Sequence, residues 1–561
     1  MRLDKLTIGS SKDSPSHQFK NLKDVTIDFD QDHWVTVVIG WNGTGKSNVL
    51  EALAIIFREL ISPKKMPKID FSFQLSYCMG SGDDVSHIQI DHDPDRVTEP
   101  FHIVVTNKAS LEQKEILSGV LDHEITDGNQ IKLNSFLKED RYLPRYVFSY
   151  YSGESSRMHD VFEPYIKWYD EQLRGGKDPG LKRLFYALPV HSQFVLLAFL
   201  IHQNDDVRKF LKEHLGLDPI DGLESVLFIL RQPPWKTNAK DGDPRFWGAR
   251  GVVSKFLSRL YDIALAPIEI SRKVPVSLWN RKTLQFKYLY VKDMQALKNL
   301  VGDQTPAEFF RDLESTYVSQ LIDEVRIKVK LKKNDGTVTF RELSEGEQQL
   351  LTVLGLMRFT AENETLFLLD EPDTHLNPRW SVDYLNYLKD FVGRSADGEE
   401  TSHVVLTTHN PLAVAELLKE QVQILVRSKD DSKISALPPD MHPRGMGYAG
   451  IITSDLFGLE SALDSHTLAL LEEKREISAQ EGEMTEQHRT RLNELNSELE
   501  QYGFKYEMRD PVYTEYLKAR YASKPEFSSN EVTHMSIENQ KARAKKLVEA
   551  ALLATKSEGQ L

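Results

Sequence analysis

The spacing of apolar residues divides the first third of the chain into short strand-like runs. Residues 1–60 contain "LDKLTI", "VTIDF" and "WVTVVI", and then a helical pattern over 47–60. Residues 70–106 hold three more short runs separated by Gly, Asp and Pro, which predict an antiparallel lobe. "RYVFSYYSGESSRM" (145–158) predicts a further strand that runs into a polar turn.

The rest of the chain changes its pattern several times. From about 160 to 265 the periodicity is helical, and strands are predicted again at 283–291. A hairpin is predicted over 324–340, with its turn at Asn334-Asp335-Gly336. Residues 342–427 alternate helices with apolar strands, which is typical of an α/β fold. The residues after about 455 are helical and charged.

Length and composition narrow the class of protein. A chain of 561 residues is too long for one compact core, so we expect two or three domains. The net charge of −14 leaves no global basic surface, and nucleic-acid contacts must come from a local patch or a partner. Cys78 is the single cysteine, which excludes an internal disulfide. The longest apolar run, 194–201, is too short to span a bilayer, and the expectation is a cytoplasmic protein without membrane contact.

The segment "VVIGWNGTGKSNVLEAL" (37–53) contains the G-x-x-x-x-G-K-[ST] pattern of a phosphate-binding loop between a strand and a helix. Glycines let successive backbone N–H groups point into one concavity, and the following helix presents its positive end. Lys46 would bind the β- and γ-phosphates of ATP, and Ser47 would bind Mg²⁺. The candidate nucleotide-binding residues in this loop are Gly40, Asn42, Gly43, Gly45, Lys46, Ser47 and Asn48.

Two later strands end in side chains suited to the same chemistry. "TLFLLDEPDTHLNP" (365–378) is an apolar strand that ends in Asp370 and Glu371. Asp370 would hold Mg²⁺, and Glu371 would polarise the attacking water. "HVVLTTHNP" (403–411) places His409 after the next strand, where it can hydrogen-bond a γ-phosphate.

A serine and a glycine open the helix predicted after residue 344. Ser344 and Glu347 form a capping-box pattern, which explains the serine as an ordinary helix start. Gly346 is not explained in this way, because glycine in the first turn lowers helix stability relative to alanine. The alternative is an anion site in which Ser344 and the Gly346 backbone grip a γ-phosphate.

The order of "GWNGTGKSN", "LSEGEQQ", "LLDEPDTHLNP" and "TTHNP" resembles the ABC-type ATPases, and within them the SMC-like branch. The resemblance implies a Walker A loop, a signature, a Walker B strand whose D-loop contains Asp373, and the switch histidine His409. It also implies head-to-head homo-oligomers in which Ser344 and Gly346 contact the γ-phosphate held by a neighbouring copy. Two features depart from the family pattern. Glu345 and Glu347 stand in the signature, and "YYSGESSR" (150–157) stands where a Q-loop glutamine is expected, either as a nucleotide sensor or as an ordinary polar turn.

These observations predict an α/β fold, an ABC/SMC-like ATPase head with a mixed sheet flanked by helices. The predicted N-terminal half of the head, with the antiparallel β lobe, covers 1–158. A helical insertion covers 159–275, and the C-terminal half of the head covers 276–454. A helical tail, 455–561, is the candidate region for docking a partner.

The docking role of the tail rests only on the spacing of its apolar residues. Leu492, Leu495 and Leu499 lie on one helical face, and Leu468, Leu471 and Ile477 do so loosely. The leucines either form a docking platform or pack back on the head. A last helix is predicted over 539–553, and its basic run Lys541 to Lys546 is a solvated face or a contact for nucleic acid.

The combination of an SMC-like head, an insertion without heptads, "YYSGES", "SDLFGLES" and a helical tail resembles the PtuA-type ATPases of Septu and retron anti-phage systems. The resemblance implies an ATPase that assembles and restrains a separate HNH nuclease of the PtuB type. In retron versions a reverse transcriptase and its multicopy DNA join, so nucleic acid is reached through the complex. The alternatives are an SMC-like ATPase of DNA repair or recombination and a non-hydrolysing ATP-dependent scaffold.

The chain itself is not expected to be a nuclease. No Asp-x-Asp follows residue 427, and a single cysteine cannot build a cysteine-based structural zinc site. "DHDPDR" (91–96) begins like a calcium loop but has Arg96 in place of the required glycine.

Overall fold

The computed structural model describes residues 1–504 except 13, 31, 63–65, 108–128, 218–221, 237–239, 276–280, 331–336, 361–363, 393–399, 429–432 and 480–484, together with 545, 546 and 549. The chain forms two compact units. The first comprises residues 1–413 and 420–437, and the second comprises 414–419 and 438–561.

A seven-stranded sheet forms the centre of the first unit, in the order β18-β17-β3-β16-β15-β8-β9. Its strands pair in parallel except for β18, which is antiparallel to β17. Every residue of β15 is buried, as expected for a parallel strand covered on both faces. The strands are β3 (Val35–Gly40), β8 (Tyr146–Tyr151), β9 (Leu184–Tyr186), β15 (Thr365–Asp370), β16 (His403–Thr407), β17 (Val422–Arg427) and β18 (Ile434–Leu437).

The predicted antiparallel lobe is confirmed as a six-stranded sheet in the order β2-β1-β4-β5-β6-β7. Alternate residues along β4 are buried, because one face of the strand packs on the core. The strands are β1 (Arg2–Ile8), β2 (Val25–Asp28), β4 (Phe73–Met79), β5 (Ser86–His92), β6 (Phe101–Asn107) and β7 (Asn129–Ile131).

A third, antiparallel sheet has the order β11-β12-β10-β13-β14. The prediction of a purely helical insertion over 159–275 was wrong, because β9, β10 and β11 lie within it. The "LESVLFILR" run that forms β10 is buried between β12 and β13, and a short apolar run does not distinguish a strand from a helix by periodicity. The strands are β10 (Leu223–Arg231), β11 (Leu265–Pro275), β12 (Arg281–Val291), β13 (Ile322–Lys330) and β14 (Thr337–Thr339).

The predicted hairpin over 324–340 is confirmed by the antiparallel pairing of β13 with β14. Its turn, Asn334-Asp335-Gly336, lies outside the described residues.

Helices cover the sheets of the first unit. They are α1 (Lys46–Ile61), α2 (Leu133–Phe136), α3 (Arg157–Arg174), α4 (Pro189–Ile201), α5 (Asp205–Glu213), α6 (Gly251–Ile263), α7 (Met294–Val301), α8 (Pro306–Val318), α9 (Glu345–Thr360) and α10 (Pro378–Phe391), with α11 (Pro411–Val414) at its end. Across the described part of the chain, no helix is both long enough and apolar enough to cross a bilayer.

The second unit contains α12 (Gly447–Thr453), α13 (Ser465–Ser478) and α14 (Glu486–Gln501). α13 and α14 pack through a small apolar cluster formed by Leu470, Leu471, Leu495 and Leu499. The predicted leucine seam is therefore partly correct, although Leu470 takes the place of the half-buried Leu468 and Leu492. The predicted last helix and its basic run lie outside the described residues except at 545, 546 and 549.

Three buried polar side chains form an ion cluster inside the first unit. Glu314 of α8 pairs with Lys182 and accepts a hydrogen bond from Nε2 of His191 at 2.8 Å, and each of these side chains is at most 2% exposed. Nδ1 of His191 accepts the backbone N–H of Leu188 at 2.9 Å, which fixes the ring tautomer. Burial alone would raise the pKa of Glu314, but Lys182 and His191 lower it to about 2.

We expect Glu314→Gln to destabilise the chain by about 3–5 kcal/mol at pH 7, because it leaves Lys182 buried without a counter-charge. The folded-state pKa lies below the ordinary value of 4.5, so the carboxylate stabilises the fold above pH 4.5 and loses this effect as pH falls toward 2. Urea unfolding of the unmodified chain and of Glu314→Gln, at pH 7 and at a pH between 4.5 and 2, measures the difference between their free energies of unfolding. This difference should be smaller at the lower pH. Glu163→Gln, which breaks the exposed Glu163–Lys167 pair, is the control and should change stability by less than about 0.5 kcal/mol. An equal loss of stability in Glu314→Gln and Glu163→Gln would contradict the role of Glu314 as the counter-charge of Lys182.

Candidate functional site

The phosphate-binding loop lies between the C-terminal end of β3 and the start of α1. Gly40 and Gly45 have φ of +146° and +97°, in the region that favours glycine. A Cβ at Gly40 would lie 2.5 Å from the Leu425 carbonyl oxygen, and one at Gly45 would lie 2.8 Å from the Leu22 side chain. Both conformation and space therefore require glycine at position 40, and the positive φ favours glycine at position 45.

Lys46 folds back over this loop. Its Nζ donates to the carbonyl oxygens of Gly40 at 2.9 Å and Trp41 at 3.4 Å. Burial lowers the pKa of Lys46, and the carboxylates of Glu371 and Asp370 oppose that shift. The ammonium group is thus placed within the electrostatic reach of both predicted Walker B acids.

Three other predicted loop residues differ in their surroundings. Asn48 donates to the Asn21 side chain at 2.6 Å, whereas Asn42 and Gly43 are exposed. The carbonyl oxygen of Gly43 accepts hydrogen bonds from Asn21 at 2.9 Å and Arg427 at 2.7 Å. Asn21 and Arg427 were missed by sequence reasoning, since nothing in their local sequence indicates contact with a loop distant in the chain.

Asp370 ends β15 and is fully buried. Its Oδ1 accepts the Thr407 hydroxyl at 2.5 Å, and it is also hydrogen-bonded to the Ser47 side chain. Burial raises the pKa of Asp370, while the bonds from Thr407 and Ser47 lower it. The two predicted Mg²⁺ ligands, Ser47 and Asp370, are therefore close enough for the Ser47 side chain to lower the pKa of Asp370. A hydroxyl and a carboxylate are hard oxygen donors of the kind that Mg²⁺ prefers.

Arg157 supplies a positive charge to the same carboxylate. Its Nη2 lies 3.3 Å from Oδ2 of Asp370, and its guanidinium stacks 5.0 Å from the Tyr151 ring centroid. The backbone N–H of Ser152 donates to the Asp370 carbonyl oxygen at 3.2 Å, and the Ser152 hydroxyl lies 3.2 Å from that of Thr374. The "YYSGESSR" turn thus lies against the Walker B strand, and Arg157 is the site residue that the sequence left undecided.

Glu371 follows Asp370 in the left-handed conformation, with φ of +53°. Its N–H donates to the Thr407 carbonyl oxygen at 3.0 Å, which turns the side chain away from the strand. Nε2 of His409 lies 2.7 Å from Oε1 of Glu371. This hydrogen bond with His409 is the main cause of the lowered pKa of Glu371, and Lys46 contributes. Glu371 is consequently held as a carboxylate, the form that a general base requires.

The predicted signature and D-loop pack against each other within one chain. Gln349 of α9 donates to the Pro372 carbonyl oxygen at 2.5 Å and accepts the His375 N–H at 3.3 Å. A Cβ at Gly346 would lie 2.6 Å from the His375 carbonyl oxygen. The close approach of the D-loop backbone is therefore a reason for Gly346 that sequence analysis did not identify.

Ser344 and Asp373 have partners of their own. Ser344 and Glu347 form the predicted capping box, with O–O and N–O distances of 2.7–3.3 Å. Within the described ranges, no hydrogen bond joins Ser344 to its own phosphate-binding loop. Asp373 is buried and accepts the Thr408 hydroxyl at 2.9 and 3.0 Å.

A second group of ligand-like side chains lies in the β lobe, where His17, Asp93 and Asp95 come within 4.8 Å. Nε2 of His17 lies 2.9 Å from Asp95, and Lys12 lies 3.4 Å from Asp93. The carboxylates are already paired, so the cluster ties two loops of the lobe together.

Two family models match the chain. One is described as "AAA ATPase domain" and matches residues 17–157, and the other as "AAA domain, putative AbiEii toxin, Type IV TA system" and matches 201–415. Their matched residues include the loop with Lys46 and the strands that lead to Asp370 and His409. These two family models confirm the prediction that the chain contains an ATPase domain.

Two curated relatives share part of this sequence. Septu protein PtuA of Bacillus mycoides (strain KBAB4) is 25% identical over 158 residues, which are 26% of this chain and 21% of that protein. Retron Vc95 probable ATPase of Vibrio cholerae serotype O1 biovar El Tor is 26% identical over 147 residues, 23% of this chain and 27% of that protein. The chain thus spans only about a quarter of either relative's length in the alignment, and its resemblance to PtuA-type ATPases is confirmed.

We expect Lys46→Ala to weaken ATP binding about 100-fold, because a charge-assisted contact to phosphate is lost. Glu371→Gln should bind ATP normally but hydrolyse it about 10²–10⁴-fold more slowly. Fluorescence titration with a labelled ATP analogue and phosphate release measure the two effects. Lys5→Ala, at an exposed position of β1, is the control for the lysine. An unchanged ATP affinity in Lys46→Ala would refute the phosphate-binding role of the loop.

Proposed function

We propose that this chain is the ATP-hydrolysing subunit of an anti-phage defence complex, in which it assembles and regulates a separate HNH nuclease of the PtuB type. The observation that carries the proposal is the convergence of Lys46, Ser47, Asp370, Glu371 and His409 at one edge of the parallel sheet. The similarity to a Septu protein and to a retron ATPase supports the defence context.

The side chains divide the work of ATP hydrolysis. Lys46 binds the β- and γ-phosphates, and Ser47 and Asp370 hold Mg²⁺, which supplies positive charge beside the phosphates when bound. Glu371 accepts a proton from the attacking water, and His409 and Lys46 keep it in the carboxylate form before that step. His409 orients Glu371 through their 2.7 Å contact and is the proposed hydrogen-bond partner of the γ-phosphate.

We further propose that the active form is a homo-oligomer with composite ATP sites. The hydrogen bonds of Ser344 close a helix cap and do not reach its own phosphate-binding loop, so its hydroxyl and the start of α9 face outward for another copy. Gln349 fixes α9 to the D-loop, so the surface offered to the neighbour is rigid.

The second unit is the proposed docking region for the nuclease. Among its described residues, the exposed large apolar side chains are Met441, Tyr448, Leu459, Leu463 and Tyr502. Interaction sites are marked by contiguous apolar patches, so Leu459 and Leu463, which are near each other in the sequence, are the positions to test. In a retron context the same complex would include a reverse transcriptase and its multicopy DNA.

Ser344→Arg tests the composite site, since it should abolish hydrolysis without reducing ATP binding by each chain. When it is mixed with Lys46→Ala, each mixed dimer has one intact site, so activity should return at roughly a quarter of the sites. Ser497→Arg, on the exposed face of α14, is the matched control. Full ATPase activity from a chain that is monomeric in light scattering would rule out composite sites.

The nuclease assignment predicts that the purified chain cuts neither DNA nor RNA with Mg²⁺ or Mn²⁺. Leu459→Asp with Leu463→Asp should lose co-purification of the nuclease and phage protection while ATP binding stays unchanged. Val97→Asp places a single negative charge on a more exposed apolar position of the first unit and should retain both. Cleavage by the single chain that disappears when one of its own residues is changed would overturn the proposal.

A further inference from the structure

Positive charge is concentrated in one segment of this acidic chain. Residues 231–292 contain thirteen Lys and Arg and four Asp and Glu, a net charge of +9, whereas the chain as a whole has −14. A local charge of this sign and size is the electrostatic feature of a surface that meets a polyanion.

Part of this charge is neutralised within the fold. Six cations of the segment form ion pairs: Arg231 with Asp323, Arg245 with Asp243, Arg250 with Asp241, Arg259 with Asp312, Lys287 with Glu269, and Lys292 with Asp293. The cations that remain available include the four at the far end of the β11–β12 hairpin, Arg272, Lys273, Arg281 and Lys282. In the described part of the chain, no carboxylate pairs with any of these four.

The far end of the hairpin is a two-stranded ribbon. β10 pairs with β12 only over residues 286–291, whereas β11 continues to pair with β12 over 281–285. Both strands are largely exposed there, and no third strand of the described residues pairs with this part of the ribbon. The register places Arg272 and Lys282 on one face and Lys273 and Arg281 on the other.

One of these cations is already held in place. The Arg272 guanidinium lies 4.3 Å from the Phe286 ring centroid and 5.8 Å from that of Tyr288. Stacking on two rings restricts the side chain before any partner arrives, which lowers the entropic cost of a contact with phosphate.

We propose that the ribbon formed by residues 271–275 and 281–285 binds the phosphate backbone of duplex DNA. A two-stranded antiparallel ribbon fits the major groove of B-form DNA, and cations on its two faces reach the phosphates on both sides. The deep, narrow major groove of A-form RNA does not admit such a ribbon, so duplex RNA is not the partner. The surface belongs to the third sheet and not to the ATP site.

The base of the same hairpin has a different character. Leu265, Ile268 and Ile270 are exposed apolar residues of β11. Because the cations lie beyond them toward the turn, the ribbon end, and not this apolar base, is the part suited to a polyanion.

The test is binding of the full-length chain, without nucleotide, to a labelled 30-base-pair DNA duplex over a series of salt concentrations. Lys273→Glu with Lys282→Glu should weaken binding at least tenfold and reduce the slope of log affinity against log salt by about 2. Lys209→Glu with Lys212→Glu, on exposed positions of α5, changes the net charge equally and should bind like the unmodified chain. Lys273→Arg with Lys282→Arg should also retain binding.

Several outcomes would overturn the proposal. The first is that the unmodified chain does not bind the duplex. The second is that the hairpin and α5 variants lose the same amount of DNA affinity. The third is that single-stranded DNA or duplex RNA competes for the chain as well as duplex DNA does. A changed mass in light scattering with unchanged DNA affinity would instead assign the ribbon to contacts between copies. Unfolding curves establish that each variant is folded, and Lys273→Ala with Lys282→Ala repeats the test without adding acids.

Discussion

Parallel strand pairing is the constraint on which the rest of the site depends. β3, β16, β15 and β8 run in the same direction, so their C-terminal ends meet at one edge of the sheet. That edge brings Lys46, Asp370 and His409 together although they are far apart in the sequence. The chemistry of the site therefore needs little more than the correct residue at the end of each strand.

Burial then decides which side chains must accompany these residues. Asp370 is fully buried, and a carboxylate in that position needs hydrogen bonds or counter-charges. Thr407, Ser47 and Arg157 provide them, while His409 and Lys46 do so for Glu371. The buried Glu314 with Lys182 and His191 follows the same rule outside the candidate site.

Sequence analysis correctly predicted the features that contiguous residues encode. The glycine pattern identified the phosphate-binding loop, and the apolar runs located β3, β15 and β16, because a loop, its lysine and the next helix are contiguous. The strand β10 was missed, since its apolar run reads equally as a helix until its neighbours β12 and β13 are known. Asn21, Arg427 and the packing of Gly346 against His375 depend on contacts between distant segments, which no local pattern contains. Arg157 was visible only as part of a polar turn whose role stayed open.

The contact between Arg157 and Asp370 has a thermodynamic consequence. Arg157 is also the first residue of α3, so a divalent cation at the proposed ligand Asp370 would compete with the ion pair that the start of this helix makes. Thermodynamic linkage is reciprocal. If binding of the cation changes the equilibrium position of α3 by a given factor, a ligand that holds α3 in one position must change the affinity for the cation by the same factor. A ligand of α3 would thus change the affinity of the proposed metal site without touching the nucleotide.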